Sequence, residues 1–175
     1  AASQNMPIIV GGATAAMGQV PEVLGLWHER MEHYGNPHEH IDLAVAVNIY
    51  VAPTQELAES DLAGLEDEIE KEFARVGNPR TADGKTPDDY KHWANRDRDR
   101  AAASENARKA GILPLIGTPE VVIERIETLR SLGINSIRGA FGAAGLDQTK
   151  MLDSMKMFSE EVMPHFAEKS VGPRV

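Results

Sequence analysis

The 175-residue chain contains no cysteine. Disulfides and thiolate–zinc centres are therefore excluded, and a reducing cytoplasm is the expected setting. Aromatic residues make up only 5% of the chain. None interleave with a basic stripe, the pattern that single-stranded nucleic-acid binding calls for. Positive charge is in deficit: 18 Lys and Arg stand against 27 Asp and Glu, for a formal net charge of −9. Such a chain repels nucleic-acid backbones and anionic membranes, so neither is an expected partner. The densest basic run, Arg96-Asp97-Arg98-Asp99-Arg100, neutralises itself. No stretch approaches the ~18 apolar residues of a membrane span. Residues 1–7 lack the basic and apolar regions of a signal peptide. They run at once into a strand-like segment, which leads to the expectation that more chain precedes Ala1.

What is present suits one globular domain over residues 1–175, with 42% hydrophobic and 26% charged residues. Pro7-Ile8-Ile9-Val10 before Gly11-Gly12 reads as a strand buried on both faces. Pro21 suits a first helical turn, Val23, Trp27, Met31 and Tyr34 recur at helical spacing, and Gly35-Asn36-Pro37 ends the helix. Over residues 43–51 the large aliphatics all fall at odd positions, the signature of a strand with one strongly apolar face. Thr54 can cap a helix carrying Ala58, Leu62, Leu65, Ile69 and Phe73, with an acidic opposite face.

Turn signals at Asn78-Pro79 and Asp83-Gly84 open a helical insertion over residues 77–111. It restarts at Thr86-Pro87 and is too charged to be more than partly buried. Residues 112–116 form a short apolar link. Thr118-Pro119 starts a helix with Val122, Ile126 and Leu129 inward, and Gly133 ends it. Residues 134–141 read as a strand in which Gly139 marks the end. A last helix over residues 147–162 carries Met151, Met155, Phe158 and Val162 as its apolar stripe and stops at Pro164. Strands alternating with helices imply an α/β fold of parallel strands with helical crossovers.

Three segments, in order, resemble the luciferase-like monooxygenases. Residues 7–14, Pro-Ile-Ile-Val-Gly-Gly-Ala-Thr, are similar to their late barrel strand and phosphate loop. Ile116-Gly117-Thr118-Pro119-Glu120 and Leu132-Gly133-Ile134 resemble their penultimate helix and last barrel strand. Phe141-Gly142-Ala143-Ala144-Gly145-Leu146 and the helix ending in His165-Phe166 are similar to their C-terminal helix. The resemblance implies part of a TIM-type (β/α)8 barrel. It also implies oxidoreductase chemistry on a small organic substrate with reduced FMN, or F420, and O2. A separate flavin reductase as electron source is a further implication, and a homo-oligomer is expected. Two departures stand out. A whole barrel typically needs ~250 residues, and nothing here matches the early strands. Gly18-Gln19-Val20 also bridges a stretch that relatives fill with another helix end and a short strand.

The best candidate site is Gly11, Gly12, Ala13, Thr14 and Ala15. A phosphate is held by converging backbone N–H groups that no side chain obstructs, and Thr14 adds a hydroxyl donor. By spacing alone an ordinary strand-to-helix turn is the favoured reading, and the family resemblance reverses that order. Arg138 can lend positive charge near the loop that follows the last strand, or simply face solvent. His38-Glu39-His40 has i, i+2 spacing that does not converge, so no metal site is expected. His28 and His92 receive no role, and no catalytic base is identified. Tyr90 and Trp93 belong either to a lid or to packing that pins the insertion. The alternatives to an enzyme are a shortened flavin-binding homologue without catalysis and a structural fragment.

Overall fold

The computed structural model describes residues 1–11, 20–37, 41–63, 83, 114–142 and 145–167. The order of elements is strand β1 (Ile8–Val10), helix α1 (Val20–His33), β2 (Leu43–Val51), α2 (Gln55–Leu62), β3 (Leu115–Gly117), α3 (Pro119–Ser131), β4 (Ser136–Phe141) and α4 (Gln148–Met157). A π-helical turn (Phe158–Val162) then leads into α5 (Met163–Ala167).

All the described pairings are parallel and all involve β2. β1 matches its start (Ile8 with Leu43, Val10 with Val45). β3 matches its end (Ile49 with Leu115, Val51 with Gly117). β4 runs along the middle, from Ala44 with Ser136 to Ile49 with Phe141. Asn135 lengthens the β2–β4 ladder with its side chain: its Oδ1 accepts from the Leu43 N–H at 3.0 Å, and its own N–H donates to the Leu43 carbonyl at 3.1 Å.

The alternation expected for residues 43–51 holds. Leu43, Val45, Val47, Ile49 and Val51 are buried in one cluster with Leu24, Trp27 and Met31 of α1, Val122, Ile126 and Leu129 of α3, and Val162. At roughly 1.5–3 kcal/mol per fully buried large aliphatic side chain, this face supplies the main driving force for folding. Gly139 lies inside β4, not at its end. A Cβ there would come within 2.5 Å of Ile49 Cδ1, so its bareness leaves room for a core side chain.

The opposite sheet face is largely uncovered among the described residues. Ile9 is 61% exposed, and Asn48 and Arg138 are exposed as well. β1 is thus buried on one face only, through Val10; the expectation of two buried faces fails because no described helix lies over Ile9. Toward the C-terminal ends of the strands this face is covered. Tyr50, Ala52 and Ala58 form a second buried cluster, joined by Leu62, Ile116 and Leu146. Tyr50 and Ile116 are register partners, so α2 packs on the side of the sheet opposite the main core.

Helix ends follow local chemistry. Thr54 caps α2 by accepting from the Leu57 N–H at 3.2 Å. Asp147 caps α4 by accepting from Thr149 and Lys150. α1 and α3 are followed by Gly35 and Gly133, both at positive φ.

Four further expectations need correction. The link at residues 112–116 contributes to a strand, β3, too short to show a period. Tyr34 lies beyond α1 and is 52% exposed, while Val20 and Leu24 take the buried positions. The last helix presents Ser154, Phe158 and Val162 inward, and Met155 is 42% exposed. Nor does that helix stop at Pro164. The Met163 N–H donates to the Phe158 carbonyl, an i to i−5 bond. This wider turn accommodates a ring that an unbroken α-helix would not, and the helix continues to Ala167.

The buried Ser154 explains why polarity interrupts the stripe. β4 pairs with β2 no farther than Ile49. The Ala52 N–H donates to the Gly117 carbonyl, so the Val51 N–H points to the other edge, past the end of β4. Ser154 Oγ accepts that N–H at 2.7 Å in a buried position. Ser154→Ala is expected to leave a buried donor unpaired, at about 1–3 kcal/mol. Equilibrium urea unfolding at neutral pH measures it.

Candidate functional site at the C-terminal ends of the strands

β1 ends at Val10, and Gly11 follows it directly. A Cβ on Gly11 would lie 2.8 Å from the Ala46 Cβ, closer than such atoms approach. Gly11 therefore lets the chain leave β1 in tight contact with β2. Ala46 is the register partner of Arg138. Gly11, Ala46 and Arg138 consequently form one row across three strands, on the uncovered face. Strands are ~4.8 Å apart, so Arg138 stands about two strand spacings from Gly11. The structure thus joins two features that the sequence left separate. Gly12, Ala13, Thr14 and Ala15 lie outside the described residues, as do most of the 77–111 insertion, Tyr90, His92, Trp93, His38 and His40.

Farther along the same face, one cluster was not foreseen from the sequence. The Tyr50 hydroxyl donates to Asp61 Oδ2 at 2.7 Å. Lys150 Nζ donates to the other carboxylate oxygen. Asp61 thereby joins β2, α2 and α4. Its side chain is 8% exposed, whereas that of Lys150 is 50% exposed. The hydrogen bonds from Lys150 and Tyr50 hold the Asp61 carboxyl below its ordinary range, against the opposing effect of burial. Burial, then the hydrogen bond and charge of Asp61, then the charge of Asp153, push the Tyr50 phenol far above its usual value. Tyr50 therefore stays protonated at working pH, with its hydroxyl hydrogen given to Asp61. The only sequence signal was weak: an aspartate and a tyrosine at a strand end and helix turn, with the lysine 89 positions away.

His28 is half-buried with its ring edge-on to Trp27 at 5.1 Å, a packing arrangement. Among the described residues no group of three or more His, Asp or Glu can hold a metal ion. No described helix is long and apolar enough to cross a membrane.

The lowered Asp61 carboxyl sets a direction for acid stability. A depressed folded-state pKa stabilises the fold above the unfolded value, and this contribution disappears as pH falls through the folded value. Urea unfolding of wild type and Asp61→Asn is expected to differ at pH 7, and the gap should narrow below about pH 4.

The profile of the luciferase-like monooxygenases matches residues 1–136. No curated protein sequence matches the chain. Among solved structures, monooxygenase RslO1 from Streptomyces bottropensis is similar at 21% identity and a TM-score of 0.58, covering 95% of this chain and 44% of its own. The oxygenating constituent of 3,6-diketocamphane monooxygenase from Pseudomonas putida, solved in complex with FMN, aligns at 19% identity and a TM-score of 0.54, covering 93% of this chain and 43% of that one. The coenzyme F420-dependent tetrahydromethanopterin reductase from Methanopyrus kandleri aligns at 15% identity and a TM-score of 0.51, with 91% and 45% covered. The chain thus spans less than half the length of these structures, and its parallel strands with helical crossovers correspond to part of their fold. Matched over most of its length by the family profile and sharing that architecture, the chain belongs to the luciferase-like monooxygenases.

Proposed function

We propose that the protein is a flavin-dependent monooxygenase or oxidoreductase that uses reduced FMN, with F420 as the other candidate, on a small organic substrate. The observation that carries this reading is the row Gly11–Ala46–Arg138. It combines a strand end without a side chain, a small floor and a cation on one open face. That donor set fits the phosphate end of a flavin. Gly11, Gly12, Ala13, Thr14 and Ala15 would hold it through backbone N–H groups and the Thr14 hydroxyl. Arg138 would offset its charge, which matters in a chain of net charge −9.

When bound, the flavin supplies the electron and oxygen chemistry. The chain's own share is to fix the phosphate, orient the ring toward the C-terminal ends of the strands and keep water away. A separate flavin reductase as electron source, a homo-oligomeric state and a cytoplasmic location complete the proposal. Support comes from the family membership and from relatives solved with FMN or named for F420.

Fluorescence titration of the full-length protein with FMN, and separately with F420, tests this reading. Saturable one-to-one binding of one of them is expected. Arg138→Ala and Thr14→Val should each weaken it about tenfold, the size of a lost charge-assisted hydrogen bond. Failure to bind either cofactor overturns the assignment.

A further inference from the structure

The helices of the main core lie on one side of the sheet, whereas α2 lies on the other. It meets Tyr50 and Ile116 through Ala58 and Leu62. This is the face that carries Ala46 and Arg138, and with a rise of ~3.3 Å per residue Tyr50 stands about 13 Å beyond Ala46 along β2. α2 therefore roofs the C-terminal end of the face that carries the Gly11–Ala46–Arg138 row. Among the described residues its apolar hold is small: Ala58 is its buried residue and Leu62 is partly buried, while Leu57 is 42% exposed. Two alanines, a tyrosine ring and a few partly buried neighbours do not seat a helix of eight residues strongly.

We propose that Asp61 is the positioning residue that seats this roof, by bonding Tyr50 of β2 and Lys150 of α4 at once, and that the roof shields the site beneath from solvent. Two features support the lock. Both carboxylate oxygens are used, one for each partner. The side chain is nearly buried, so replacing the carboxylate by an amide leaves one of Tyr50 and Lys150 without its acceptor. Among the described residues the groups facing Asp61 are Tyr50 from β2 and Lys150 from α4, with the charge of Asp153 acting on Tyr50 from the same helix. Since Tyr50 does not titrate in the working range, the lock is set by the ionised carboxylate and holds at neutral pH. The seating of α2 stands independently of any cofactor; the shielding rests on the flavin reading above.

Hydrogen–deuterium exchange of the full-length protein at pH 7 tests the seating. In Asp61→Asn, amides of residues 57–62 are expected to exchange at least tenfold faster, while residues 43–49 of β2 keep their protection. Lys150→Met, which removes one arm only, should give a smaller acceleration, and Asp61→Glu should restore part of the protection. Unchanged exchange in α2, or equal acceleration of α2 and β2, overturns the lock. Iodide quenching of bound FMN tests the shielding, with at least a twofold rise in the quenching constant expected in Asp61→Asn. Faster exchange in α2 without greater quenching overturns the roof while leaving the lock. Wild-type protein that binds neither FMN nor F420 overturns the flavin reading and the shielding with it, and the exchange experiment then still decides the seating.

Discussion

Each described strand besides β2 pairs with β2, so the register of this one nine-residue segment sets where everything else stands. A shift of one residue would turn Leu43, Val45, Val47, Ile49 and Val51 away from the helices and bring Asn48 toward the core. The hydrophobic pattern forbids that slip. With β2 fixed, the end of β1 arrives beside Ala46, Arg138 falls on the same row, and the end of β3 meets Val51. The β4 ladder stops short of Val51, and Ser154 takes the N–H left over. The candidate cradle and the seat of the last helix are both consequences of this single register.

The two faces of the sheet serve different purposes. One is closed by α1, α3 and the C-terminal helical run, with Phe141 and Phe158 meeting edge to face at 5.2 Å. Among the described residues the other is largely uncovered at the level of Ala46 and covered by α2 at the level of Tyr50. Apolar packing dominates the first and hydrogen bonding the second. Closely packed cores resist partial opening, whereas a short helix held by a few polar contacts sits at the low end of local stability. The structure thus places a short, lightly held helix where a ligand-binding face would gain from being covered.

The candidate site was legible in part. Gly11 could be picked out because two glycines after an apolar strand permit close backbone approach, and the contact with Ala46 gives that glycine a concrete reason. Arg138 was visible as a cation near a strand end, but no sequence pattern linked it to Gly11, since 127 positions separate them. The Tyr50–Asp61–Lys150 cluster was invisible for the same reason. Hydrogen bonds between distant residues leave no periodicity, and an aspartate in a short polar helix looks like one more solvated charge.

The sequence by itself determined most of the described elements: periods of two and 3.6, proline and glycine at helix ends, and threonine caps are local signals with local causes. It also determined the class of fold, because strands that alternate with helices can scarcely avoid parallel pairing. Only the tertiary structure decided which side of the sheet each described helix covers, that the end of the apolar link at residues 112–116 enters β3, and that a serine interrupts the apolar stripe of the last helix. Those outcomes depend on where one strand ends relative to another, a distance in space that neighbouring residues do not encode.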